Sequence, residues 1–153
     1  MSWSHRVYDD RPSWEQWAMN IAEAVATRAD CRRRKVGAVV LNVNNRIVAT
    51  GYNGTAPGRD GCLLGNCPRG RQTFKEVPDG DPTYDVEGLT YCIATHAEMN
   101  ALLQASPFDL EEATLVCTLK PCNACTKVIS NTAVRRIIHP AEWHSTELVT
   151  VLV

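Results

Sequence analysis

The stretch Ala113-Thr114-Leu115-Val116-Cys117-Thr118-Leu119-Lys120-Pro121-Cys122-Asn123-Ala124-Cys125 decides the architecture. Its first part, Ala113 to Leu119, is an apolar run rich in β-formers and reads as a strand, with Cys117 as a core residue. Pro121 then opens a helix, because a first-turn proline gives up no hydrogen bond there. That helix runs to about Thr132, and Val134-Arg135-Arg136-Ile137-Ile138 reads as the next strand. Strand, helix, strand in that order makes a parallel pair with a crossover helix. Cys122 and Cys125 are three residues apart, so both sulfurs share one face of the helix's first turn.

Towards the N-terminus, Thr95-His96-Ala97-Glu98 opens the preceding helix, which ends near Ala105 where Ser106-Pro107 stops it. Thr95 is the expected N-cap. His96 and Glu98 are two residues apart and would diverge in mid-helix, but at a helix start both can reach a point just ahead of it. Further back, Val36 to Val43 is a near-continuous apolar run, Asn44-Asn45 makes a turn, and Arg46 to Tyr52 reads as the hairpin partner. An opening helix carries Trp14, Trp17, Ala18, Ile21, Ala22 and Val25 on one face, with Ser13 and Gln16 as a capping box and an end near Asp30. The tail Ser145 to Val153 reads as either a short helix or a fifth strand. The order α-β-β-α-β-α-β implies an α/β fold, a mixed sheet of four or five strands covered by helices.

Residues 1–153 are read as one domain. From Gly54 to Tyr91 no helix or strand pattern persists; a connection of roughly 35 residues is well beyond ordinary loop length and reads as an insertion that is either functional or disordered. Residues 1–10 hold no apolar leader run and no stretch reaches membrane-spanning length, so a cytoplasmic protein is expected. There, seven cysteines point to metal ligands or core residues rather than disulfides. The net charge of −1 gives no general attraction to nucleic acid or membrane.

His96, Cys122 and Cys125 on two helix starts would supply three ligands to a zinc ion and leave a fourth position open, which separates catalytic from structural zinc. The positive ends of the two helices would favour thiolates. Glu98 could be a mere capping partner of Thr95. As a non-ligand carboxylate beside the metal, it instead has the place of a proton carrier.

His96-Ala97-Glu98 followed by Pro121-Cys122-Asn123-Ala124-Cys125 matches the H-x-E, P-C-x-x-C signature of zinc nucleobase deaminases. With Lys35-Val36-Gly37-Ala38-Val39-Val40, Gly51-Tyr52-Asn53-Gly54 and His96 to Ala101, the chain resembles the cytidine and deoxycytidylate deaminase family. The resemblance spans about residues 13–138 and implies a three-layer α/β/α fold. Gly51 to Gly54 and the cysteine-bearing insertion look most like the deoxycytidylate branch, which turns dCMP into dUMP and ammonia. It implies His96, Cys122 and Cys125 as zinc ligands and Glu98 as proton shuttle. It also implies substrate contacts from Asn53 and the backbone of Ala97. A nucleotide further needs a cation for its phosphate, and Lys35 is a candidate from its place in the sequence. Arg59, Arg69 and Arg71 lie in the same region. In some relatives an extra zinc orders the loop, and here Cys31, Cys62, Cys67 and Cys92 border it. Larger members of the family are oligomers, so a homo-oligomer acting on a small nucleotide is expected. The competing readings are a deaminase of another base (modified dCMP, cytidine, guanine), a tRNA adenosine deaminase, or a zinc-stabilised binding protein. The charge argues against the tRNA enzyme, and an intact Glu98 against the binding protein.

Overall fold

The computed structural model describes residues 10–153; residues 1–9, and with them most of the stretch read above for a leader, lie outside the described residues. The elements are α1 (Trp14–Ala26), β1 (Gly37–Leu41), β2 (Ile47–Tyr52), α2 (Ala97–Gln104), β3 (Thr114–Cys117), α3 (Asn123–Ser130), β4 (Arg136–Pro140) and β5 (Leu148–Leu152). The strands form one sheet in the order β2-β1-β3-β4-β5. β1 is antiparallel to both β2 and β3, β3 is parallel to β4, and β5 returns antiparallel along β4. The tail is therefore a fifth strand.

Alternation along the strands builds two cores. Val39, Leu41, Val116 and Ile138 face α1 and pack on Ala18, Met19 and Ala22. Ala38, Val40, Leu115 and Cys117 point the other way, against Ala97, Ala101, Cys125 and Ile129 of α2 and α3. The result is the expected α/β/α sandwich. Each fully buried branched side chain contributes about 1.5–3 kcal/mol.

Two glycines set how closely the helices sit. A Cβ on Gly37 would lie 2.0 Å from the Ala22 carbonyl oxygen, and one on Gly51 would lie 2.3 Å from both Ala97 O and Ala101 N. Gly37 thus lets α1 lie against the sheet, and Gly51 seats the opening of α2 on β2.

Helix ends depart from the sequence reading for local reasons. Ser13 caps α1 by accepting from Gln16 N at 3.1 Å, but Gln16 turns its amide to Asn20 instead of closing a capping box. α1 ends at Ala26 rather than near Asp30, because the next three N–H groups bond three residues back and tighten the turn. Trp17 packs on the α1 core, whereas Trp14 is exposed. Thr95 is not the cap of α2: its N–H and C=O pair with Gly54, and His96 occupies the N-cap position. Pro121 likewise precedes α3, whose N-cap is Cys122.

The segment from Gly54 to Tyr91 holds three short 3-10 turns, Cys62–Leu64, Arg69–Arg71 and Thr83–Asp85. The chain between α1 and β1 pins it at several points. Asp30 accepts from Leu63 N at 2.8 Å, and Arg33 reaches the carbonyls of Gln72 and Val77 while lying over the Phe74 ring.

Candidate metal centre and active-site cleft

His96 and Cys122 hold equivalent places, each the N-cap of its helix with extended backbone, ψ 154° and 167°. An N-cap side chain swings ahead of the helix instead of along it. Two parallel crossovers bring those helix starts to the same end of the sheet. His96 Nδ1 lies 3.6 Å from Cys122 Sγ and 3.4 Å from Cys125 Sγ. Cys122 Sγ also accepts from Cys125 N at 3.5 Å.

These spacings fit a metal. Zinc bonds of about 2.3 Å to sulfur and 2.0–2.1 Å to nitrogen, at tetrahedral angles, place N and S about 3.6 Å apart. Among the described residues, His96, Cys122 and Cys125 are the set of His, Cys and carboxylate groups whose donor atoms meet within 4.8 Å. A soft two-thiolate, one-imidazole set suits zinc.

Burial governs the titration here. Glu98 is 4% exposed, and loss of water pushes its carboxyl above the usual range, against its own backbone N–H, His96 and Cys117, which all favour the charged form. The Cys125 thiol is driven up by burial first, then by Glu98 and Cys122. The helix dipole alone therefore does not make a thiolate of Cys125; a bound cation would. Cys117, read from the sequence as core, is core, and its thiol also pairs with Glu98.

The cleft beside these groups has a volume of about 280 Å³ and includes Asn53, Ala97 and Glu98 in its wall, at the lower end of small-molecule sites. Asn53 is held rigidly: Oδ1 accepts from Val36 N and Nδ2 donates to Arg34 O, both at 2.8 Å. Ala97 contributes one of the opening N–H groups of α2, which has no carbonyl four residues back to serve it. Lys35 is not in this cleft. It lines a second cavity with Glu23 and Trp143, while Arg34 and Val36 face the first. Extended chain entering β1 alternates sides, so the neighbour of the expected residue is the one that points in. Arg69 reaches the cleft, whereas Arg59 and Arg71 are exposed and not among its walls.

The cleft is also lined by Arg34, from the basic cluster Arg32 to Lys35 that suits a small anionic ligand, and by Lys120 and Tyr84, to which the sequence reading gives no role. Arg34 ion-pairs with Asp79, lies 5.3 Å from the Trp143 ring, and keeps a buried Nε with no partner. The Tyr84 ring sits 5.2 Å from the His96 ring. A basic run and one aromatic in an unpatterned loop carry no signal that separates them from surface. Cys31, Cys62, Cys67 and Cys92 line this same cavity.

A three-layer α/β/α sheet whose two helix starts converge a His, two Cys and a buried Glu defines a hydrolytic deaminase of the zinc-dependent class. The chain belongs to the cytidine and deoxycytidylate deaminase family: the model for the family's zinc-binding region matches residues 12–140. It is 44% identical over 132 residues to the deoxycytidylate deaminase of Mycobacterium phage D29, covering 86% of this chain and 98% of that one. To the deoxycytidylate deaminase of Saccharomyces cerevisiae it is 36% identical, over 90% of this chain but 40% of the yeast protein. Among solved structures, it is similar to the dCMP deaminase of cyanophage S-TIM5 in complex with dCMP and dUMP. That match has a TM-score of 0.62 at 26% identity and covers 87% of this chain and 85% of that one. Among the described residues no helix is long and apolar enough to cross a membrane.

Proposed function

We propose that this protein hydrolyses dCMP to dUMP and ammonia, with His96, Cys122 and Cys125 as zinc ligands and Glu98 as the proton carrier. The observation that carries the reading is the buried, non-ligand Glu98 beside a three-ligand set with tetrahedral spacing. Zinc held there would supply a water activated for attack at neutral pH. Glu98 is placed to take a proton from the attacking water and pass it to N3 of the cytosine, as C4 gains the oxygen. It then carries the second proton to the amino group, which leaves as ammonia as the C4 carbonyl forms. Its burial beside the ligand set keeps both transfers out of bulk water. The Ala97 N–H and the spare capacity of the Asn53 amide orient the base and sugar.

A nucleotide also needs a cation for its phosphate. Arg33 and Arg69 spend their guanidiniums on carbonyls of the insertion. Arg34, with its unpartnered Nε, and Lys120 are the cleft cations we assign to the phosphate.

A second, structural zinc on Cys31, Cys62, Cys67 and Cys92 belongs to the same reading. Backbone N–H groups approach three of these sulfurs as they do in thiolate sites: Arg33 N to Cys31 at 3.3 Å, Arg32 N to Cys62 at 3.3 Å and Gly70 N to Cys67 at 3.4 Å. Burial pushes the Cys62 thiol to about 11 and the Cys92 thiol to about 12, so metal binding there would release protons. We read residues 1–153 as one domain with 54–91 as its insertion. Assembly into a homo-oligomer is supported by two large exposed apolar side chains, Leu103 in α2 and Phe108 in the turn after it. A cytoplasmic setting is supported by the seven cysteines, none of which is paired in a disulfide.

The test is ammonia release from dCMP, CMP, deoxycytidine, guanine and a tRNA anticodon stem. Preference for dCMP is expected. Turnover of another substrate with none of dCMP would refute the assignment.

A further inference from the structure

We propose that Asn100 is a positioning residue for the reaction centre. Its side-chain amide clips the residue before the base contact Asn53 to the residue before the metal ligand His96, so that the two keep a fixed spacing. This rests on the zinc and base-binding roles proposed above, which give Asn100 no part.

The clip follows from where two carbonyls are left. β2 is an edge strand of the sheet, and Tyr52 is its last residue. The peptide between Tyr52 and Asn53 sends Asn53 N towards β1, to Val36 O at 3.3 Å. A trans peptide points its carbonyl the opposite way. Tyr52 O therefore leaves the sheet on the side where, among the described residues, no strand lies. Asn100 Nδ2 donates to it at 2.8 Å. The same nitrogen donates to Thr95 O at 3.3 Å, which also accepts from Gly54 N at 3.1 Å. The backbone N–H of Asn100 donates to His96 O at 3.0 Å, so one residue holds the carbonyls of Tyr52, Thr95 and His96. Both side-chain partners are acceptors, so only the NH2 end of the amide fits, and it has two protons to give.

The whole insertion separates Asn53 from His96 along the chain. Asn53 spends its own side chain on Val36 N and Arg34 O, which tie it to the chain entering β1 and not to α2. Its link to the metal side runs through the Gly54–Thr95 bridge and this clip. Gly51 makes the reach possible: a Cβ there would stand 2.9 Å from Asn100 C, so the helix lies close enough for a short amide to meet Tyr52 O. Helix propensity alone would favour alanine at this interior position. The asparagine is accounted for by what it bonds.

Zinc-loaded wild type, Asn100→Ala and Asn100→Asp test this through zinc loss to excess chelator, kcat and Tm. Asn100→Asp keeps the shape but sets an anion against two carbonyls. The zinc in question is the equivalent that His96→Ala abolishes. Both variants are expected to release it at least about 10-fold faster, Asn100→Asp the faster of the two. At matched zinc content kcat should fall about 10- to 100-fold, by the same factor for dCMP and deoxycytidine, because the clip acts on the base and metal sides and not on the phosphate. Tm of Asn100→Ala should stay within a few degrees of wild type, since a residue serving only the helix is replaced by a better helix former. Wild-type zinc release and kcat in Asn100→Asp would overturn the proposal, as would a kcat loss confined to dCMP. Full zinc content in His96→Ala would instead overturn the metal assignment. Wild type inactive on both substrates would refute the deaminase reading, and the release rates would still decide the clip.

Discussion

Gly51→Ala is a one-methyl change placed where fold and chemistry meet. Its Cβ would stand 2.3 Å from Ala97 O and Ala101 N, where ordinary contact begins at about 3.4 Å. Both clashing atoms are backbone, so no rotamer change relieves them. The opening turn of α2 must retreat by about 1 Å, because packed interiors transmit displacement and do not absorb it. That turn carries His96, Ala97 and Glu98. Overpacking of this kind costs about 1–3 kcal/mol, a fall in Tm of about 2–12 °C. A misplacement of about 1 Å can cost about 100-fold in rate. The assay is kcat for ammonia release, with thermal unfolding and zinc content measured on the same sample. Gly54→Ala is the control, because the nearest atom a Cβ there would meet is the Asp30 Cβ at 3.6 Å, and it should keep kcat within a few-fold. A folded Gly51→Ala with wild-type kcat and Tm would refute the claim that this contact seats the site.

Arg34→Ala should raise KM for dCMP about 10- to 150-fold, from the loss of about 1.5–3 kcal/mol of charge-assisted bonding. It should leave deoxycytidine, which has no phosphate, unchanged; equal losses on both would remove Arg34 from the phosphate. Cys62→Ser should reduce zinc from two equivalents to one, as read by metal analysis, and increase proteolysis within 54–91. Wild type holding one equivalent would remove the second site. Metal-free protein should lose stability as pH rises above about 4.5, because burial raises the Glu98 carboxyl above that ordinary value in the folded state. Its contribution is complete below the unfolded pKa and disappears as pH rises through the folded one. Denaturant titrations across pH should show that decline flattened in Glu98→Gln; identical pH profiles would show that Glu98 is not the group responsible.

Much of this is legible in the sequence because strands and ligands are written locally. Ala113 to Cys125 contains β3, the turn and both cysteines of the metal set, and the hydrophobic period of α1 marks the face that packs on Val39 and Val116. The starts of α2 and α3 lie one or two residues from where local chemistry puts them, and for α2 the reason is tertiary. Thr95 has cap chemistry, but a bridge to Gly54, forty-one residues earlier, occupies its backbone, and His96 takes the cap place. That shift favours the metal set, since an N-cap side chain aims ahead of the helix more directly than one in the first turn. Lys35 and Arg34 differ only in which side of an extended chain they occupy, and sidedness ahead of β1 is fixed by Asn53 gripping Val36 N and Arg34 O. Tyr84 is invisible in the sequence because its position depends on Arg69 and Asp81, an ion pair with a buried arginine inside a segment without periodicity.

The most direct test of the account compares dCMP turnover by wild type and Glu98→Gln at matched zinc content. A glutamine amide at this position cannot carry a proton but preserves size and burial. The account predicts the same zinc per chain, dCMP still bound, and kcat lower by at least about 100- to 10,000-fold. Wild-type turnover by the zinc-loaded variant would contradict it.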